Sequence, residues 1–197
     1  MGEGVQKAGR RPRADSLRNR EKLLLAARDV FSAGGPEASL EAVARRAGVG
    51  IGTLYRHFPT REALFQAVYL RDVDQLVALA QQAADGRDPV EALRQWLHAC
   101  VGMVATKKGM LTALAPSVQG SDPLFADTSR RLRAAVGSLM ERAVAAGRIR
   151  SDLTPEDLMR AMIGMCYTRE QPGWQTTVVL LLDVFVDGLR LPPDPAA

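Results

Sequence analysis

The chain has 197 residues, 47% of them hydrophobic, 24% charged and 5% aromatic, with a formal net charge of +4. That length means one large domain or two small ones and is enough to bury a real core; the apolar fraction excludes disorder as the main state. The longest aliphatic run, Val178 to Leu182, is far short of a membrane span, and the Gly- and charge-rich start carries no secretory signal. Cys100 and Cys166 are not ligand-spaced, so neither a disulfide framework nor a zinc site is expected, and no metal or cofactor is called for. A soluble, reduced, cytoplasmic protein is the expectation. The charge is unevenly spread. Residues 1–65 hold 12 Lys and Arg against 7 Asp and Glu, a net +5, whereas residues 66–197 hold 14 against 15, a net −1. A local positive excess reads as a surface for a polyanion or as a merely soluble basic face.

Residues 1–15, rich in Gly, Arg and Pro, read as a flexible basic arm. From Ser16 to Ala33 the pattern becomes helical, with Leu23, Leu24, Ala27, Val30 and Phe31 on one side and Gly34-Gly35-Pro36 as the stop. Ser39 caps a short helix that presents Leu40, Val43 and Ala44 inward and ends at Gly48. A third short helix runs from about Gly50 to His57, with Leu54 and Phe58 inward. Thr60 caps a fourth from Arg61 to about Ala83. Pro89 opens a fifth helix carrying Leu93, Trp96, Leu97, Cys100, Val101 and Val104. A sixth spans roughly Lys108 to Gln119, with Pro116 as a bend. Ser121-Asp122-Pro123 opens a seventh that reaches Ala146, before Gly147. Thr154-Pro155-Glu156-Asp157 opens an eighth, broken at Gln171-Pro172-Gly173, and a ninth runs from Trp174 to Leu191. The Pro-rich end, 192–197, reads as a loose tail. No run alternates as a strand and no repeat is evident. The expected fold is all-α with about nine helices: an N-terminal domain over residues 16–65 and a C-terminal helical domain over 66–191.

The sharpest signal lies between Ser39 and Phe58. Two short helices flank a tight Gly-containing turn, the helix-turn-helix pattern whose second helix enters the DNA major groove. Val49 is the apolar plug at the turn, and Ala44 is small where the second helix crosses. With Leu54 and Phe58 inward, Thr53, Tyr55, Arg56 and His57 are left on the outer face. A plain helical hairpin with a polar face is the competing reading, weakened by the stop signals, the plug and the basic arm taken together.

Residues 17–65, and above all Gly48-Val-Gly-Ile-Gly-Thr-Leu-Tyr-Arg-His-Phe-Pro-Thr-Arg-Glu-Ala-Leu-Phe65, resemble the DNA-binding domain of the TetR/AcrR family of transcriptional repressors. The resemblance covers about a quarter of the chain; beyond it only helix count, lengths and order are similar. It implies a homodimer whose two recognition helices read a pseudo-palindromic operator in double-stranded DNA. It also implies release by a small-molecule effector, through a rigid-body switch carried by the fourth helix. The residues matching Tyr55 and His57 contact phosphates in such proteins, those matching Thr53 and Arg56 contact bases or phosphates, and Thr60 and Arg61 touch the backbone. Two departures stand out. Gly50 replaces the usual Ser at the end of the turn, and Ile51 replaces the usual Lys or Arg, trading a cation for an apolar contact to a thymine methyl. With Ser39 and Gly52 these positions complete the expected DNA-binding set. Arg10, Arg11, Arg13, Arg18 and Arg20 read either as further DNA contacts or as a solvated tail.

The remaining 130 residues suggest a regulatory domain. Candidate pocket residues are Trp96, Cys100, Met103, Met110, Leu114, Phe125, Met140, Met162, Met165, Cys166 and Tyr167, since Met suits adaptable apolar cavities. Each of them taken singly reads more simply as ordinary core. Arg94, His98 and Arg169 are candidates to face a polar or anionic effector, His98 reading more simply as a satisfied helix residue. The expected dimer interface is a four-helix bundle formed by two stripes. Val178, Leu182, Phe185 and Leu189 recur on the ninth helix; Leu158, Met162 and Met165, with the small Ala161 and Gly164, lie on the eighth. Packing of both stripes inside their own subunit is the alternative. No nucleophile elbow, phosphate loop or His/Cys ligand set supports an enzyme. A nucleoid-type DNA binder without operator preference remains the other alternative.

Overall fold

The computed structural model describes residues 10–33, 38–83, 88–114, 123–167 and 172–191. They form eight helices: α1 (Arg10–Ala33), α2 (Leu40–Ala47), α3 (Ile51–His57), α4 (Arg61–Gln82), α5 (Pro89–Leu114), α6 (Pro123–Ala145), α7 (Pro155–Tyr167) and α8 (Trp174–Leu189). Turns and short links join them, and the one pairing of extended backbone among the described residues is an isolated antiparallel bridge between Ile149 and Arg190. The Gly34-Gly35-Pro36 stop, the Pro116 bend, the Ser121-Asp122 cap, Arg169, residues 1–9 and the tail 192–197 lie outside the described residues, as do the side chains of Arg10, Arg11, Arg13, Leu114 and Phe125. No described helix is long and apolar enough to cross a membrane.

The all-α expectation holds, and two boundaries move. Helix α1 begins at Arg10, so residues 10–15 of the expected arm are helical. Arg and Ala favour helix, and Pro12 falls in the first turn, where its missing N–H has no intrahelical partner to lose. Helix α5 runs unbroken through Thr106-Lys107-Lys108, where the sequence reading divided it into a fifth and a sixth helix. No Pro intervenes there, and Thr106 is buried, so the segment gains from packing as well as from helical hydrogen bonds.

The chain divides into two compact units. The first contains the residues up to Tyr69 together with the end of α5 from Thr106; the second contains Leu70–Ala105 and the chain from α6 onward. The domain boundary expected at residue 65 therefore falls inside α4, and a second stretch of chain, distant in sequence, joins the first unit. Both α4 and α5 supply residues to each unit.

In the first unit Leu23, Leu24, Ala27 and Phe31 of α1, Leu40, Val43 and Ala44 of α2, Leu54, Phe58, and Leu64, Phe65 and Val68 of α4 are buried. Met110 of α5 joins this core. Its helix approaches α1 so closely that a Cβ at Gly109 would collide with the backbone carbonyl of Phe31. A clash with backbone cannot be relieved by turning a side chain, so this crossing needs glycine.

In the second unit Trp96 is wholly buried and its indole N–H donates to the Leu76 carbonyl at 2.9 Å. Gly147 ends α6 in the left-handed conformation, φ 65°, with Gly147 N–H donating to Val144 and Arg148 N–H to Ala143. Thr154 opens α7 as a reciprocal cap: its hydroxyl accepts from Asp157 N–H at 3.2 Å, and Asp157 Oδ2 accepts from Thr154 N–H at 3.1 Å. Gly109→Ala is expected to lower stability by about 1–3 kcal/mol through overpacking, read as a lower denaturant midpoint in a urea titration; an unchanged midpoint would contradict the close crossing.

Candidate nucleic-acid interface

The interface is built on the turn between α2 and α3. Ser39 caps α2, its hydroxyl accepting from Ala42 N–H at 3.1 Å. At the other end Gly48 adopts φ 68° and ψ 34°. Gly48 N–H donates to the Arg45 carbonyl at 3.2 Å and Val49 N–H to Ala44 at 3.1 Å. That pair of bonds is the six-to-one and five-to-two closure that glycine permits at a helix end. Gly50 then starts α3 in extended conformation with no side-chain cap; its carbonyl accepts from Thr53 and Leu54 N–H.

Leu54 and Phe58 are buried, and Ala44 is buried on the facing helix. Val49 is half-buried, consistent with a plug at the turn. The outer face of α3 then carries Ile51, Gly52, Tyr55 and Arg56, all exposed, while Thr53 and His57 are half-buried. Arg56 lies back along its own helix, Nε donating to the Gly52 carbonyl at 3.2 Å and Nη2 to Thr53 Oγ1 at 3.1 Å. Thr60 and Arg61 are exposed at the start of α4, where Thr60 Oγ1 accepts from Ala63 N–H at 3.1 Å. Ser39 is half-buried and spent on its cap. The hydrogen bond from the Glu41 backbone N–H, then the Ser39 hydroxyl, and also the positive charge of Arg61, hold the Glu41 carboxyl below its ordinary value.

Helix α1 braces this unit from outside. Arg46 of α2 donates Nε and Nη2 to Asp29 Oδ2 of α1 at 2.9 and 2.7 Å. Arg20 of α1 stands over the Phe58 ring, 5.3 Å from its centroid. Arg20 is therefore a helical residue seated beside the end of α3 rather than part of a loose arm. No signal in the sequence links positions 20 and 58, because their pairing depends on how α1 packs. Arg18 pairs with Asp15 on the same helix.

The regulatory candidates are placed as follows. Trp96, Cys100, Met103, Met140, Met162 and Cys166 are buried in the second unit, Met165 is half-buried, Tyr167 is 52% exposed, and Met110 belongs to the first unit. The structure does not bring all of them together. A groove of about 340 Å³ lies instead along Val77, Ala80, Gln81, Arg130, Arg131, Ala134, Ala135 and Ser138. A more open depression of about 500 Å³ adjoins Ile149, Arg150, Gly188 and Arg190. Burial pushes the Cys100 thiol well up, the nearby Cys166 adding to it, and Cys166 Sγ lies 3.9 Å from Met162 Sδ. Both cysteines are free. Among the described residues no cluster of His, Cys, Asp and Glu is suited to a metal ion.

Arg94 and His98 do not face an open site. Arg94 Nη1 donates to Asp183 Oδ1 at 2.8 Å, Arg94 Nη2 to Asp187 Oδ1 at 2.5 Å, and His98 Nε2 lies 2.8 Å from Asp183 Oδ1. Two positions four apart on α5 meet two positions four apart on α8, which pins the helices together. The hydrogen bond from Arg94 is the main reason why the Asp183 and Asp187 carboxyls sit below the usual range.

The residues of the expected dimer stripe divide between two environments. Leu158, Met162, Val178, Leu182 and Leu189 are buried within their own chain, and Ala161, Met165 and Phe185 are half-buried. The apolar residues left outside are Ile163 and Tyr167 on α7, and Leu180, Leu181 and Val184 on α8, of which Val184 is 72% exposed. Periodicity marks an apolar face, but α8 is apolar on two, and only packing decides which is used internally.

The comparisons with known proteins agree with this geometry. The family description "Bacterial regulatory proteins, tetR family" matches residues 23–68, and "Transcriptional regulator SbtR-like, C-terminal domain" matches residues 88–191. A TetR transcriptional regulator from Streptomyces coelicolor is 40% identical, with 89% of this chain and 99% of that one aligned at a TM-score of 0.76. A TetR regulatory protein from Mycobacterium vanbaalenii is 31% identical over 91% of this chain and 99% of its own, at a TM-score of 0.70. The transcriptional regulator UidR of Escherichia coli is 38% identical over 68 residues, 34% of this chain, which spans only 35% of UidR's length. The transcriptional repressor KstR of Rhodococcus jostii is 29% identical over 146 residues, 73% of this chain and 66% of KstR.

The bare start of α3 is testable. Gly50 has ordinary negative φ and open space around it, so Gly50→Ser is expected to raise stability by a few tenths of a kcal/mol, whereas Ser39→Ala costs about 1 kcal/mol. Thermal melts of the two variants should move in opposite directions; parallel shifts would show that capping does not govern these helix starts.

Proposed function

Because the chain belongs to the TetR family of bacterial transcriptional regulators, we propose that it is a ligand-responsive repressor gripping a pseudo-palindromic operator as a homodimer. The observation that carries this reading is the face of α3: Leu54 and Phe58 are spent on the core while Tyr55 and Arg56 stand in solvent. A helix held by one side and bare on the other is what the major groove admits. Tyr55 and His57 are assigned to phosphates, Thr53 and Arg56 to bases or phosphates, and Thr60 and Arg61 to the backbone at the start of α4. Arg56 must leave Gly52 and Thr53 to reach a guanine edge, exchanging two hydrogen bonds within its own helix for a bidentate one to the base.

Pairing is assigned to the uncovered faces of α7 and α8. Leu180, Leu181 and Val184 on α8, and Ile163 and Tyr167 on α7, are too apolar and too close in sequence to remain wet at no cost. A twofold axis through this face buries each patch against its copy. The effector is assigned to the second unit, where Trp96, Cys100, Met103, Met140 and Met162 are buried; the Met side chains suit an apolar molecule. Its binding can reach the first unit along α4 and α5, each an unbroken helix with residues in both. Repression rather than activation follows the relative KstR, named a transcriptional repressor.

Tyr55→Ala and Arg56→Ala are each expected to weaken operator binding by about ten- to a hundredfold at fixed salt, with helical content and oligomeric state unchanged. Wild-type protein should retain a specificity ratio above about 1,000 over unrelated DNA; equal binding to both would favour a nucleoid-type binder. Val184→Glu is expected to yield folded monomers in light scattering, and a persistent dimer would put the pairing surface elsewhere.

A further inference from the structure

We infer that Ile51 determines operator specificity by seating its side chain against the C5 methyl of a thymine in each half-site. The inference rests on the proposed placement of α3 in the major groove. Ile51 is a branched aliphatic residue, 39% exposed, in the first turn of α3. Its neighbours Gly50 and Gly52 have no side chains, and a Cβ added at either would meet nothing within 4 Å. Over residues 50–52 the backbone is thus bare except for one projecting side chain. One turn further on, at four positions' spacing, Tyr55 is 45% exposed, so the two residues make an apolar ridge along the outer face. The nearest cationic side chain on the helix, Arg56, is bonded to Gly52 and Thr53 instead of covering Ile51.

The chemistry of that ridge narrows the partner. An isoleucine side chain can neither donate to nor accept from a base edge, and it offers a phosphate nothing. Of the groups displayed in the major groove, the apolar one is the thymine methyl. Without Cβ atoms at positions 50 and 52 the helix can come closer to the bases than an ordinary helix start, which brings a side chain as short as isoleucine within van der Waals reach. A neighbouring guanine or cytosine would instead lose hydration at its polar edge with nothing in return.

The test removes one methyl at a time. Full-length protein selects duplexes from a randomised library, and in the enriched duplex each thymine is replaced singly by deoxyuridine, which lacks only the C5 methyl. Affinities of the wild type and Ile51→Ala are then measured at one salt concentration. One thymine in a half-site is expected to be sensitive, its replacement weakening wild-type binding about three- to fivefold, the value of one buried methyl-sized group. Ile51→Ala is expected to bind the thymine and deoxyuridine duplexes equally. Sensitivity that is the same in both proteins, or absent at every thymine while a sequence is still enriched, overturns this inference and leaves the operator reading standing. Failure to enrich any sequence overturns both.

Discussion

The left-handed backbone at Gly48 is the constraint on which the interface depends. Three residues, Gly48, Val49 and Gly50, separate α2 from α3, too few for a wide loop. The chain reverses only because Gly48 accepts a φ of 68°, a conformation that costs a side-chain-bearing residue about 1–2 kcal/mol. With the two carbonyls of the last turn of α2 satisfied by Gly48 and Val49 N–H, α3 leaves at one angle, and that angle delivers Leu54 and Phe58 to the core formed by Leu23, Val43 and Leu64. The outer face of α3 is a by-product of this burial: once those two residues are committed, Ile51, Tyr55 and Arg56 have nowhere to go but out.

The second unit obeys different rules. Its helices are tied by a few polar fixtures, one buried and one reaching the surface. The Trp96 N–H meets the Leu76 carbonyl, and the Arg94 guanidinium spans two carboxylates of α8. The side chain of Arg94 is largely buried, only 14% exposed, so its charge is costly unless paired, and the two carboxylates supply the pairing. On α8 Asp183 and Asp187 pair with α5, while Leu180, Leu181 and Val184 are exposed.

Helix α5 shows why a linear division of the chain into domains falls short. Its first part belongs with α6, α7, α8 and the later part of α4, its last part with α1, α2, α3 and the start of α4. The crossing at Gly109, where α5 comes against the Phe31 carbonyl, and Lys107, whose ammonium lies 5.6 Å from the Tyr69 ring centroid, tie that last part to the first unit. Desolvation pulls the Lys107 amine below its ordinary value, as expected of a cation held mostly out of water. Helix α5, like α4, thus supplies residues to both units.

Much of this molecule was legible in the residues alone. Apolar spacing and caps located the helices, because periodicity and capping are local properties written in neighbouring positions. The Gly48 turn, the inward Leu54 and Phe58 and the outward Tyr55 and Arg56 were equally local. What the sequence could not disclose were choices made by distant segments. Arg20 reaches Phe58, Arg94 and His98 reach α8 rather than solvent, Met110 lies in a different unit from Trp96, and the stripe of Val178, Leu182 and Leu189 is consumed inside its own chain. In each case several partners satisfied the same local pattern. Burial is a collective property of the packed chain, so only the tertiary structure decides which apolar face is covered and which charge is paired.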